Sequence, residues 1–390
     1  MPACDCAAQI RVIRGEQFFS RSANSELLDR ELHELIAAAT YGRYDEARKE
    51  MRMNSNGTTA QHYLGYPLLK GGPQGQPVIA PLKFAVSSSL MLATMHAPEP
   101  IPAPRVDGMS ASTPVPLYWR EDGPASASPL VLLHGGPGAH HDYLYPQMLA
   151  LAASHRLFTY DQRGGGRSRT TDSEPITWRT HTHDLGNIVT EFGCVPPTLV
   201  GYSWGGLLAM LYAIEAQKHA TLPLPERLVL VSPAPITREW RDEFETTFAE
   251  RQRAPAITAL RAELAASGLR ESDVLAFRQR SFELSVAGYF ADPRQARALT
   301  PFRVLQRVQQ SVWDSLGDFD LRADLHDVAR AVHLPVVVVH GSEDPIPLAS
   351  SQAAAEALNA ELVVLPDCGH VPYVEQPAAL FDVITRFLSS

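Results

Sequence analysis

The sequence predicts an α/β fold: a mostly parallel sheet flanked by helices, a helical lid inserted late in the sheet, and an extra N-terminal extension. Three observations carry this. Short apolar, β-branched runs recur at 130–133, 157–160, 198–200, 228–231, 335–340 and 361–365, the pattern of strands buried on both faces. Helical patterns alternate with them, at 207–212 and at 378–388, where Leu380, Phe381, Ile384, Phe387 and Leu388 share one face. From about 235 to 332 the strand pattern stops, and helical stretches at 239–253, 255–267 and 272–284 replace it. The chain therefore divides into an extension of unknown role (1–108), a sheet-containing core (109–234 and 333–390) and a lid (235–332).

The run at 198–200 leads into Gly201-Tyr202-Ser203-Trp204-Gly205 and then into a helix. Gly-x-Ser-x-Gly between a strand and a helix is the pattern of a nucleophile elbow. The turn is sharp and strained, and side chains two residues either side of the serine would collide. The hydroxyl then stands at a helix N-terminus, which favours developing negative charge. A serine hydroxyl is a poor nucleophile at neutral pH and needs a base and an orienting acid. Both follow in the order Ser, acid, His. The buried strand 335–340 ends in a loop carrying Glu343 and Asp344; segment 340–347 resembles a hydrolase pattern His-Gly-x-x-Asp-x-x-Pro, and the resemblance implies Asp344 as the acid. The strand at 361–365 leads into Gly369-His370. Ser203 is thus the expected nucleophile, His370 the general base and acid, and Asp344 the carboxylate that orients the imidazole.

A tetrahedral intermediate needs two N–H donors. His134-Gly135-Gly136-Pro137-Gly138 follows the strand at 130–133, the position of an oxyanion loop. Pro137 has no N–H, which leaves Gly136 as the loop donor and Trp204, just after the serine, as the second. His134 reads as structural, orienting the loop.

With these residues the chain resembles the proline iminopeptidase family of α/β-hydrolases. The resemblance rests on the segment 134–138, on Asp161-Gln162-Arg163-Gly164-Gly165-Gly166-Arg167-Ser168, on 201–206 and on Gly369-His370, and covers about 109–390. It implies the α/β-hydrolase fold, Ser203, Asp344 and His370 as the triad, Gly136 and Trp204 as oxyanion donors, and removal of an N-terminal residue, typically proline, from a peptide, amide or ester. The loop 161–168 reads as a structural, Gly-rich connection. The family holds the substrate's free amine with acidic lid residues. That motif has no residue-by-residue match here; Glu243 and Glu245 are the candidates, with a solvated amphipathic face as the alternative. Trp240 and Trp313, with Phe244, Phe282, Tyr289 and Phe290, are candidates either for lining the pocket or for packing the lid on itself.

The rival within the enzyme class is an esterase, thioesterase or amidase of a specialised metabolite. Dehalogenase and epoxide hydrolase chemistry need an aspartate at the elbow, where this chain has Ser203. The rival outside it is an interaction protein acting through residues 1–108. In that extension a helix is expected at 25–52, Gly- and Pro-rich turns at 71–81, an apolar run at 84–95 and a Pro-rich linker at 98–104. It is a candidate for capping the site or for forming a homo-oligomer. A hydrophobic content of 45% with 20% charged residues fits a soluble protein with a substantial core. A net charge of −9 gives no reason to expect nucleic acid or an anionic membrane as partner; a small molecule or short peptide is the expected substrate. No apolar run reaches membrane-spanning length, and no apolar signal core follows the first residues. Four cysteines, Cys4, Cys6, Cys194 and Cys368, form no disulfide framework, Cys4 and Cys6 are too sparse for a metal site, and Cys368 reads as a small filler. A cytoplasmic protein without metal or cofactor is the expectation.

Overall fold

The computed structural model describes residues 100–171 and 173–389. The elements expected at 25–52, 71–81 and 84–95 lie outside the described residues. Among the described residues eight strands form one sheet: β1 (Val106–Met109), β2 (Tyr118–Asp122), β3 (Pro129–Leu133), β4 (Arg156–Tyr160), β5 (Thr198–Tyr202), β6 (Arg227–Val231), β7 (Val336–Gly341) and β8 (Glu361–Leu365). Their order is β1-β2-β4-β3-β5-β6-β7-β8. β2 runs antiparallel to β1 and β4, and every later pairing is parallel. β1 begins ahead of the boundary expected between 108 and 109, and Arg105 N–H already donates to Glu121 O.

The strand runs are continuous rather than alternating because both faces are covered. Leu130 and Leu132 of β3 pack into one core cluster, while Val131 and Leu133 pack into the other. Val336 and Val338 of β7 are split from Val337 and Val339 in the same way. β3 and β5 are neighbours, yet the chain visits β4, on the far side of β3, between them. That reversal opens a crevice at the carboxyl ends of β3 and β5, where open α/β sheets bind ligands.

Helix α1 (Trp178–Glu191) is started by Thr177, whose hydroxyl accepts from Thr180 N–H. Helix α2 (Trp204–Lys218) is buried on all sides from Trp204 to Ala216, in keeping with its uniformly apolar sequence. The lid leaves and rejoins the core through a narrow neck. Thr237 bridges Asp320, Arg238 N–H donates to Phe319 O and Leu321 N–H donates to Ile236 O. Between them lie α3 (Arg238–Arg251), α4 (Pro255–Ala266), α5 (Leu269–Ser272), α6 (Val274–Val286) and α7 (Gln306–Leu316). The neck corrects the far lid boundary expected at 332. Helix α8 (Arg322–Ala331) lies beyond it and packs against α2 and α9 (Leu348–Ala357), with Leu325 and Val328 buried in the core. The short α10 (Pro372–Glu375) precedes the closing α11 (Pro377–Ser389), which buries Leu380, Val383 and Ile384 with Phe381, Phe387 and Leu388 half-covered. Among the described residues no helix is long and apolar enough to cross a membrane.

Candidate active site

The elbow follows β5 at the centre of the sheet. Ser203 has φ 53° and ψ −118°, a conformation that strains any residue with a side chain. The strain is held by main-chain bonds: Ser203 N–H donates to Val231 O, and Ser203 O accepts from Gly206, Leu207 and Ala234 N–H. The flanking glycines are steric requirements. A Cβ on Gly201 would lie 2.4 Å from Gly205 O, and one on Gly205 would lie 2.1 Å from Leu133 O.

Ser203, Asp344 and His370, 167 and 26 residues apart at their links, come together over the crevice. His370 Nε2 lies 3.0 Å from Ser203 Oγ, and His370 Nδ1 lies 2.9 and 3.1 Å from the two Asp344 oxygens. Asp344 is held in the turn after β7, where its Oδ1 accepts Ile346 N–H at 2.8 Å. Burial would push its carboxyl up, but the His370 imidazole beside it, His340 and the Ile346 N–H together hold it below the usual carboxylate range. Glu343, the competing carboxylate, is exposed and 3.7 Å from Arg251. Behind the acid, His340 is buried between Ser351 Oγ (2.9 Å) and Ile346 O (3.2 Å), and burial lowers its pKa.

Loop 134–138 lies against the elbow: a Cβ on Gly135 would sit 2.8 Å from Ser203 Cβ. Gly135 N–H donates to Tyr143 Oη at 2.6 Å and is thereby occupied. Gly136, at φ +55°, makes no main-chain N–H bond to any described residue. Trp204 N–H, in the first turn of α2, has no intrahelical partner. His134 is buried and structural in its contacts: Nε2 accepts Gln162 N–H at 3.0 Å, and Nδ1 lies 2.9 Å from Gly135 O. In loop 161–168 the buried Asp161 carboxylate accepts His141 N–H and Arg167 N–H, and Arg163 forks onto Asp184 at 2.7 and 2.6 Å.

The lid residues separate into two groups. Arg241, Phe244, Glu245 and Phe248 share one face of α3 by helical spacing. The Phe244 ring lies 6.5 Å from the His370 ring, and the Phe248 ring lies 4.3 Å from Tyr289, itself 5.1 Å from His370. Glu245 shares that face by spacing but is exposed, and its carboxylate already accepts Arg241 Nε–H at 3.1 Å. Arg241 is stacked over Trp313 at 3.7 Å, and Trp313 packs on Trp204 at 5.3 Å. Glu243 is exposed and lies on the opposite side of the helix by spacing. Trp240 is half-buried near the neck, with Arg322 over its ring at 5.6 Å.

Two residues given no role in the sequence reading, Gln162 and Glu375, shape the site together with Tyr289, one of the lid candidates. Gln162 bonds to both His134 and Trp204. Glu375 is a buried carboxylate that accepts N–H from Gly369 and Val371, on either side of His370, and from Ala291 of the lid. Burial pushes its carboxyl up, while the three backbone N–H groups pull it down. The Tyr289 ring packs tilted against His370 at 5.1 Å, and its carbonyl accepts His370 N–H at 2.7 Å. The only sequence signal for Glu375 is an acid that ends the apolar run Val371-Pro372-Tyr373-Val374. Cys368 is buried and unpaired beside this loop, and no group of three His, Cys, Asp or Glu among the described residues could hold a metal ion.

Residues 130–383 match the model of a family described as the alpha/beta hydrolase family. A proline iminopeptidase from Lactobacillus delbrueckii subsp. bulgaricus is 26% identical over 292 residues, covering 70% of this chain and 94% of that protein. Among solved structures, a proline iminopeptidase from Mycobacterium smegmatis aligns with a TM-score of 0.53 at 22% identity, over 73% of this chain and 98% of that one. The esterase RhEst1 from Rhodococcus sp. ECU1013 aligns at 0.50 with 25% identity, over 73% and 98%.

Proposed function

The chain belongs to the alpha/beta hydrolase family, and from that premise we propose that it is a serine hydrolase of small amides or esters. Ser203 Oγ attacks the scissile carbonyl while His370 Nε2 takes its proton. Asp344 holds the imidazole by Nδ1 and stabilises the imidazolium that forms. The oxyanion is received by Gly136 N–H and Trp204 N–H. His370 then protonates the leaving group, and a water activated by the same imidazole releases the acyl product. The observation that carries this reading is the unbroken relay, 3.0 Å from Ser203 to His370 and 2.9 Å on to Asp344, at a serine whose φ is positive. A fluorophosphonate probe tests it. Ser203→Ala should abolish labelling and lower turnover by on the order of 10⁴–10⁶-fold. Labelling that survives the substitution would assign the nucleophile elsewhere.

The finer reading is release of an N-terminal proline or similar residue, with Glu245 as the acid for the substrate amine. Its support is the shared motifs and the iminopeptidase relatives. One observation favours a second reading, an esterase or amidase without need of a free amine: Glu245 is already paired with Arg241, and Glu243 is on the other side of α3. An unblocked prolyl amide and its N-acetyl counterpart separate the two. N-acetylation removes the charge that a lid carboxylate would pair with, so the iminopeptidase reading expects the free amine to be cleaved at least about 30-fold faster. Equal rates would establish the second reading.

A further inference from the structure

We propose that Gln162 is a positioning residue that sets the distance between the two oxyanion donors. The inference rests on the serine hydrolase reading and goes beyond it. The proposed donors belong to different chain segments: Gly136 to the loop after β3, and Trp204 to the first turn after β5. The ladder between those strands ends with Leu133 opposite Gly201, before either donor. Past that point the separation must be set by other contacts.

Gln162 supplies them from a third segment, the loop after β4. Its main-chain N–H donates to His134 Nε2 at 3.0 Å. Its side-chain Nε2 donates to His134 O at 2.8 Å, and its Oε1 accepts the Trp204 indole N–H at 2.8 Å. One planar amide thus joins the oxyanion loop at one end and the elbow residue at the other. The orientation of that amide is fixed by its partners, since an indole N–H can only donate and a carbonyl can only accept. His134, Gln162 and Trp204 are all essentially without solvent exposure, so no water competes for these bonds. His134 belongs to the same brace. Its Nε2 accepts from Gln162, which leaves Nδ1–H to donate to Gly135 O. Burial holds this imidazole neutral, with its pKa pushed down to about 4.

The distance matters because oxyanion donors act only within about 2.7–3.1 Å of the developing charge. Looseness of half an ångström in such a constellation is already costly. Gln162 touches neither substrate nor oxyanion; it acts through Trp204 and His134.

The test is a double-mutant cycle on the full-length protein with Gln162→Met and Trp204→Phe. Both keep apolar bulk, and each removes the amide–indole bond from one side. The readouts are kcat and KM for p-nitrophenyl acetate and the second-order rate of fluorophosphonate labelling, which passes through a similar oxyanion. Gln162→Met should lower kcat and the labelling rate together, by roughly ten- to a hundredfold, with KM within about twofold. Trp204→Phe should lower the same two quantities, and the double variant should be less impaired than the product of the singles. A folded Gln162→Met enzyme with the parent labelling rate would overturn the proposal, and so would multiplicative losses in the double variant. Thermal melting identifies the folded fraction, and Trp204→Phe keeps the test open should Gln162→Met fail to fold. Persistent labelling of Ser203→Ala, by contrast, would overturn the hydrolase reading itself.

Discussion

The two sides of the candidate site are held in different ways. On the oxyanion side, Gln162, His134 and Trp204 are bound to one another inside the core. The lid reaches that side by main chain at Gly138 O, two residues past the proposed donor, through Leu305 N–H. On the histidine side, the lid bonds the proposed base directly. Tyr289 O takes the His370 N–H, and Glu375 shares its carboxylate between Gly369 and Val371 of the loop and Ala291 of the lid. The lid therefore touches the oxyanion side only around its edge, through Trp313 on Trp204 and Leu305 on Gly138, whereas it bonds the His370 main chain itself. Electrostatic stabilisation benefits from donors that never reorganise. Contacts between the lid and the proposed base tie proton transfer to the seating of the lid.

The largest effect that could break this contrast lies at the acid. Asp344→Asn should cost about 10³–10⁴-fold in kcat, because the amide can no longer favour the imidazolium. Glu343→Gln should cost less than about tenfold, its carboxylate being exposed and weakly paired. Steady-state kinetics on folded variants decide the matter, and the reverse ranking would move the acid to Glu343.

Glu375→Gln sharpens the comparison. An amide in that place accepts through one oxygen only and turns an NH₂ toward a backbone N–H. The expected loss is about 1–3 kcal/mol of stability, read by denaturant unfolding. A displaced histidine should also lower kcat by roughly ten- to a hundredfold. Unlike Gln162→Met, it should change KM as well, since the lid seat and the base share the one carboxylate. A Glu375→Gln enzyme that loses stability but keeps both kinetic constants would show that the lid does not place the base.

The smallest effect is expected at Tyr289→Phe. The carbonyl that holds His370 and the ring that packs on it both survive, so kcat should stay within about threefold. A much larger loss would give the Tyr289 hydroxyl a part that its ring and carbonyl do not explain.

Much of this was legible in the sequence, for local reasons. The strands are continuous apolar runs, and the serine, acid and histidine each follow one, so that chain order predicts the segments that meet. What was not legible depends on contacts between distant segments. Arg322–Ala331 has the same helical pattern as the lid helices before it, and only its packing on the core shows that it lies past the neck. The start of β1 was missed because Val106 and Met109 are exposed on an edge strand and lack the buried-strand pattern. Gln162 stands inside the segment Asp161–Ser168, which by sequence reads as a connection, and nothing local says that its amide reaches Trp204. Glu245 was picked out as an acid near the lid's start, but its bond to Arg241 and the opposite facing of Glu243 follow only once α3 is docked.

The backbone of Ser203 has a thermodynamic consequence. A residue with a side chain held at φ 53°, ψ −118° carries strain of roughly 1–3 kcal/mol, and the four main-chain bonds around it prevent relaxation. Glycine bears no such penalty, and its greater freedom in the unfolded chain offsets only about 0.5–1 kcal/mol of that gain. At this one position the inert residue is the more stable choice. The serine persists against the stability of the fold, and random substitution selected for thermal resistance alone would drift toward a tougher protein without a nucleophile.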